Sequence, residues 1–333
     1  MKSELSEIRQ DPVSKDWVII ATGRSRRPDE FRAKTKKKET AAADCQFCRA
    51  DAFDNPEASG NVVVSQNEWV TVIENKYPLV AGDKCGLIVE KGPYEVQPGA
   101  GKHEVIITRD HNRSLGQMSQ EEAEQVVAAY LERYRALVQH NCSRYILIFH
   151  NHGEEAGASI SHPHSQTIAI PVIPGDVEHS LIGSREYHEK KGGCIHCEMI
   201  RWERSEKKRI VFENSEMIVV SPFVPRTAFE LRIYPKGHSA YFEDMDEAKK
   251  KALAEALKEA LGRLYAGLDD IAYNFFVHTA PVFERDRYSY YHWHIEILPK
   301  APTPPAGFEL GTDIDVSPIN PDEAAEYLRG VKI

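Results

Sequence analysis

Apolar and polar positions along this chain follow a pattern that occurs twice. In the first pass Asn67-Glu68-Trp69-Val70-Thr71-Val72-Ile73 is a strand-like run that ends at Asn75-Lys76-Tyr77-Pro78. His103-Glu104-Val105-Ile106-Ile107-Thr108-Arg109-Asp110-His111 is a second strand, finishing on a histidine. Residues 119–138 then carry Val126, Val127, Tyr130, Leu131 and Tyr134 at helical spacing, behind a capping box of Ser119 and Glu122. Two further strands close the unit, 145–150 and 162–171, with a loop between them. The second pass runs in the same order: a strand from Asn214 to Val220, a strand ending at His238, a helix over 247–268, and strands over 273–278 and 292–299. Agreement in so many features predicts a duplicated α+β unit, with antiparallel sheets and helices packed on one side. The halves divide at 1–171 and 172–333 and share a continuous sheet.

Composition narrows the class. With 333 residues, 41% hydrophobic and 28% charged, the chain is an ordinary globular protein and not a disordered, collagen-like or coiled-coil one. No apolar run approaches the roughly 20 residues of a membrane helix, and Met1 to Glu7 lacks the apolar centre of a secretory signal. A soluble cytoplasmic protein with no membrane partner is expected. The balance of 42 basic and 51 acidic residues, net −9, argues against a nucleic-acid surface, which needs a basic face. One segment departs from this balance: from Arg24 to Lys38 eight Lys or Arg face only Asp29 and Glu30. A local field of that kind is compatible with a phosphorylated small molecule.

Four of the six cysteines form two pairs, Cys45-Gln46-Phe47-Cys48 and Cys194-Ile195-His196-Cys197, while Cys85 and Cys142 stand alone. In a chain of this size without an export signal, such pairs read as half-sites for zinc, not as disulfides. The duplication supplies the missing ligands. Cys45, Cys48, His111 and one histidine of His162-Pro163-His164 make one Cys₂His₂ set; Cys194, Cys197, His238 and His292 make the other. Closed four-ligand sites are structural. His162 and His164 lie on one face of their strand, so either both bind one metal or one of them is held beside it for other work.

The run Asn151-His152-Gly153-Glu154-Glu155-Ala156-Gly157-Ala158-Ser159 followed by His162-Pro163-His164-Ser165-Gln166 resembles the signature of galactose-1-phosphate uridylyltransferases, members of the histidine-triad superfamily built of two similar α+β halves. The resemblance extends to Arg24-Ser25-Arg26-Arg27-Pro28, Asn75-Lys76-Tyr77-Pro78, Tyr234-Pro235-Lys236-Gly237-His238 and His292-Trp293-His294-Ile295-Glu296. It implies His162 as a zinc ligand and His164 as the nucleophile. A nucleotidyl group would pass from a nucleotide sugar to His164 and then to a sugar 1-phosphate, the reaction of a UDP-glucose–hexose-1-phosphate uridylyltransferase. Gln166 would donate to a phosphoryl oxygen, since a departing phosphate needs no general acid. Asn75 would contact the base, and Asn151, Gly157 and Ser159 the phosphates. Arg24 and Arg27 would neutralise the diphosphate across a homodimer interface, and Asp313 would hold sugar hydroxyls.

Departures from the better-known branch point to a two-zinc branch that includes plant enzymes acting on ADP-glucose. Cys194 and Cys197 are absent from the first branch, Lys76 stands where it has an acidic residue, and His278 and His294 occupy positions that bind metal there. The alternative is therefore a nucleotide-sugar phosphorylase of the ADP-glucose type, with inorganic phosphate as acceptor. A non-catalytic, zinc-stapled binding module is the third reading, and it leaves the His-Pro-His-x-Gln constellation unexplained.

Overall fold

Ten strands pair into one antiparallel sheet whose order repeats. In the computed structural model, which describes residues 6–21, 28–33, 40–49, 53–55, 60–300 and 305–333, the first half supplies β1 (Val63–Gln66), β2 (Val70–Glu74), β3 (Lys102–Thr108), β4 (Tyr145–His152) and β5 (His164–Ile170). The second half supplies β6 (Ile210–Glu213), β7 (Met217–Val220), β8 (Leu231–Pro235), β9 (Tyr273–His278) and β10 (His294–Pro299). Their order across the sheet is β1-β2-β3-β5-β4-β9-β10-β8-β7-β6. The two halves meet where β4 pairs with β9, from Tyr273 opposite His152 to Phe276 opposite Phe149.

The repeat extends to single hydrogen bonds. Residues 67–73, expected as one strand, are a turn and a strand, because the Asn67 side-chain oxygen accepts from the backbone N–H of Trp69 and Val70 at 2.9 and 2.7 Å. Asn214 does the same for Glu216 and Met217 at 3.1 and 2.8 Å. Each asparagine then donates its amide to a long helix: Asn67 to the Gln125 carbonyl in α1 (Gln120–Val138), Asn214 to the Ala252 carbonyl in the helix Glu247–Gly267. The Ser119–Glu122 capping box starts α1 as its sequence requires.

Strand alternation sends Val72, Ile106, Ile146 and Ile148 to the face covered by the two long helices, where Tyr130, Tyr134, Leu257 and Leu261 complete one core spanning both halves. The opposite face carries Val105, Ile107, His103 and His164. It is not bare of helices, as a pattern with helices on one side alone would leave it. α2 (Gly175–Lys191) packs Val177 and Leu181 against Tyr145, and α3 (Ile195–Glu206) packs Ile200 on Ile218, Val220 and Tyr234. With Glu247–Gly267 as α4, the last helix is α5 (Pro321–Gly330). A small sheet of Glu7–Gln10, Trp17–Ile20 and Asp315–Ser317 joins the two ends of the described chain.

Cys85 and Cys142 do not stand alone. They form a disulfide, with Cα atoms 5.3 Å apart, that ties the long loop after β2 to the turn after α1. No helix among the described residues is long and apolar enough to cross a membrane.

Candidate active site

The helical turn Gln46–Arg49 brings Cys45 and Cys48 under the ends of β3 and β5. There Cys45 Sγ lies 3.6 Å from His162 Nδ1, and Cys48 Sγ lies 3.3 and 3.4 Å from Nδ1 of His111 and His162. The two Nδ1 atoms are 3.2 Å apart. A tetrahedral zinc with bonds of about 2.3 Å to sulfur and 2.0–2.1 Å to nitrogen places its ligands roughly 3.3–3.8 Å from one another, so the set fits. The other ring nitrogens are engaged as metal-binding histidines require: His162 Nε2 donates to the Thr108 carbonyl and His111 Nε2 to the Thr40 carbonyl, each at 2.6 Å. Burial and the neighbouring Cys45 thiol push Cys48 up to about 11, so a cation at the centre is what would keep the Cys48 sulfur ionised at neutral pH.

The second half repeats the arrangement. Cys194 and Cys197 lie 3.7 and 3.5 Å from His292 Nδ1, and Cys197 lies 3.6 Å from His238 Nδ1. His292 Nε2 donates to the Pro235 carbonyl and His238 Nε2 to the Ser289 carbonyl. Both four-residue groups fit a metal ion.

His164 opens β5 and follows one zinc-type histidine, His162, by two residues. Its Nδ1–H donates to the His162 carbonyl at 2.9 Å, which leaves Nε2 with the lone pair. Burial lowers its pKa, against the bond to that carbonyl, so the ring is neutral near pH 7. Phe47, between the two cysteines, packs edge-on against His162 and His164, with centroids 5.6 and 5.2 Å away. The geometry presents one neutral, oriented imidazole nitrogen to whatever occupies the space above β5.

Around it, Gln166 Oε1 is 2.9 Å from His103 Nε2. The loop after β4 turns through Gly153 and Gly157, at φ 87° and 85°. A Cβ on Gly153 would meet the Ala272 Cβ at 2.7 Å, whereas Gly157 faces open space. The Gly157 N–H is bonded to the Glu154 carbonyl at 2.9 Å, so this residue leaves room for a ligand and does not donate to one. Asn151 lies beside this loop with its side-chain oxygen accepting from Asn274 at 2.8 Å, which turns its own amide N–H groups outward. Ser159 is exposed at the loop's end.

Residues 1–174 match the family model described as galactose-1-phosphate uridyl transferase, N-terminal domain, and residues 95–329 match one described as a domain of unknown function (DUF4921). The chain is 32% identical to ADP-glucose phosphorylase of Arabidopsis thaliana, over 100% of this chain and 95% of that protein. It is 30% identical to galactose-1-phosphate uridylyltransferase of Thermotoga maritima, over 99% of each. This chain belongs to the galactose-1-phosphate uridylyltransferase family. Its structure agrees: the Arabidopsis thaliana ADP-glucose phosphorylase with bound ADP-glucose superposes with a TM-score of 0.81 at 29% identity, covering 99% of this chain and 100% of that one. A uridylyltransferase structure gives 0.74 at 28% identity, covering 98% and 97%.

Within this family frame, the second half is a copy with different chemistry. His292, His294 and Glu296 occupy the strand positions of His162, His164 and Gln166. His294 Nδ1 likewise donates to the His292 carbonyl at 3.1 Å. Glu296, however, sits 3.5 Å from His294 Nε2 and 3.7 Å from His278 Nε2, and forms ion pairs with Arg226 and Arg232. Burial opposes its charge, yet Arg232 and Arg226 hold the carboxylate well below the usual range. An anionic acceptor stands where the first half has an amide.

The register also shows which histidines correspond. His278 pairs with His294, but His150 pairs with Ser165, one residue past His164. His150 therefore points to the helical face, where its Nδ1 meets Ser165 Oγ at 3.0 Å. Asn151, next along β4, is the structural counterpart of His278.

Asn75 reaches the site, its amide 3.3 Å from His103 Nε2. Asp313 is not brought to His164; it lines a cavity of about 200 Å³ in the second half with Asp11, Arg226, Arg232 and Glu296. Arg24 and Arg27 lie outside the described residues. Two side chains escaped the sequence reading, His103 and Asn274. Each precedes an apolar run of its strand, Val105–Ile107 for His103 and Phe275–Val277 for Asn274, a signal that could have marked them.

Proposed function

We propose that this protein transfers a nucleotidyl group from a nucleotide sugar to a phosphate acceptor through a covalent intermediate on His164. The observation that carries this reading is the bond from His164 Nδ1–H to the His162 carbonyl, which fixes the tautomer and leaves Nε2 as the attacking atom. Nε2 attacks the α-phosphorus; the N–P bond forms, the P–O bond to the sugar phosphate breaks, and sugar 1-phosphate departs with that electron pair. A phosphate oxygen of the acceptor then takes the nucleotidyl group and frees His164. The leaving phosphate has a second pKa of about 6 and departs without a proton donor, which suits a glutamine at position 166. The amide N–H groups of Asn151 and Gln166 and, by family resemblance, Arg24, Arg27 and Ser159 stabilise the phosphates. Asn75 stands for base contact.

The acceptor of the main reading is a hexose 1-phosphate, with UDP-glucose as donor and a homodimer as the assembly. Asp313 is the hexose contact of this reading by family resemblance alone, since it lines a cavity apart from His164. A second reading, a phosphorylase using inorganic phosphate on ADP-glucose, is favoured by the similarity to the Arabidopsis thaliana enzyme and by the paired Cys₂His₂ groups. Cys45, Cys48, His111 and His162, and Cys194, Cys197, His238 and His292, would each hold a zinc ion. With all four positions filled by protein, zinc supplies rigidity and no open coordination site.

Incubation with UDP-glucose or ADP-glucose, followed by mass spectrometry of the intact chain, tests the reading. One of the two donors is expected to leave a UMP or AMP residue on His164, and His164→Ala is expected to show none. Full exchange activity in His164→Ala overturns it. Release of the label by galactose 1-phosphate or by inorganic phosphate then separates transferase from phosphorylase.

A further inference from the structure

The loop after β2 reaches the transfer site through one backbone amide. Leu79 N–H donates to Nδ1 of His103 at 3.2 Å. A main-chain N–H has no acceptor form, so Nδ1 must carry a lone pair, and a neutral ring then holds its proton on Nε2. That nitrogen stands 2.9 Å from Gln166 Oε1. The amide of a glutamine can be turned either way; here the ring decides, because Nε2–H needs an acceptor and Oε1 is it. Asn75 also faces Nε2, at 3.3 Å, but its own oxygen accepts from the Tyr77 N–H, so it presents a donor and cannot take the proton.

With Oε1 engaged, Gln166 has two N–H groups to offer on the face it shares with His164. In the opposite orientation it would turn a lone pair toward the phosphoryl group. The second half removes this device. Continuing the β8–β10 register by one residue, Glu230 takes the place of His103 and Glu296 that of Gln166, with Arg232 bonded to both.

We propose that His103 is a positioning residue that sets the working orientation of Gln166, with Leu79 fixing its tautomer. The purpose assigned to the amide rests on the reading of His164 as nucleophile; the tautomer and the hydrogen bond do not.

Two substitutions separate the two bonds of the ring. His103→Gln keeps a donor near the Nε2 position, whereas His103→Asn keeps an acceptor near Nδ1 and loses the donor to Gln166. Adduct formation on His164 is followed in single turnovers with UDP-glucose and ADP-glucose. The maximal rate in His103→Asn is expected to fall roughly 10- to 100-fold with half-saturation within about twofold, and His103→Gln to stay within about fivefold of wild type. In a Gln166→Ala background the two variants are expected to behave alike. In the unmodified protein, ¹⁵N-histidine NMR is expected to show His103 as the Nε2–H tautomer at neutral pH. Equal losses in both variants, an undiminished difference without Gln166, or an Nδ1–H tautomer overturns the proposal. If wild type forms no adduct with either donor, the transfer reading falls instead, and the tautomer spectrum alone decides the His103–Gln166 bond.

Discussion

His164 owes its readiness to one main-chain carbonyl, two residues back on its own strand. The same bond exists at His294, so orientation of an imidazole does not distinguish the working half from its copy. The residue two further on does. Gln166 is a neutral amide with N–H groups to offer, while Glu296 is an anion held by two arginines, and an anion repels the phosphate that a nucleophile at His294 would need. Gln166→Glu is accordingly expected to cut adduct formation by roughly 10²- to 10³-fold, the range for losing an aimed donor, with the fold intact by circular dichroism. His103 adds a pH dependence. Burial lowers its pKa from 6.5, against the bond to Gln166 and the nearby Glu104 carboxylate. The unfolded ring gains a proton on falling below 6.5 and the folded ring only later, so the unfolded state binds more protons in that window. The stability due to neutral His103 is therefore complete above pH 6.5 and lost as pH falls through the folded value. Melting temperatures of wild type and His103→Gln, compared from pH 8 to 5, should converge toward the acid end.

At the scale of elements, the entry to β5 combines two tasks, since His162 of the Cys₂His₂ group lies two residues before His164, and Phe47 couples the Cys45–Cys48 turn to both rings. The second Cys pair has no such neighbour with chemistry to lose. Metal analysis should find about two zinc ions per chain. Cys48→Ser is expected to lower both stability and the adduct rate, Cys197→Ser chiefly stability; equal effects on the adduct would refute the asymmetry. The disulfide acts on another element. It closes a loop of 57 residues, for which the chain-entropy account allows up to about 4 kcal/mol, and it anchors one end of the segment after β2 that carries Asn75 and Leu79. Cys85→Ser should lower the melting temperature in oxidising buffer and leave it unchanged relative to wild type once reductant is present.

In the whole molecule, the two halves join edge to edge at β4 and β9, and one apolar core runs beneath both. Asn274, from the second half, holds both the Asn151 side chain and the Ala156 carbonyl of the first. Expressed separately, 1–171 and 172–333 would each expose an unpaired central strand and part of that core. They are expected to aggregate apart and to recover adduct formation only when produced together; an active, monomeric first half would count against this. Much of this architecture was legible in the chain. The repeat, the capping box of α1, the two Cys₂His₂ groups and the His-Pro-His-x-Gln strand all depend on spacing within short segments, which period and ligand chemistry constrain directly. The Asn67 turn was missed because an Asx bond looks like the start of a strand. The one-residue offset that faces His150 away from His278 was missed because alternation gives a face only once the register is known. The Leu79–His103–Gln166 line, the Asn274 clamp, the Cys85–Cys142 bond and the removal of Asp313 to another cavity all join distant segments. By itself the sequence determined most of the residues that could do chemistry and which of them share a face of one strand, since both follow from local periodicity. Only the tertiary structure decided which of them meet, because that is set by strand register and loop paths that no local pattern records.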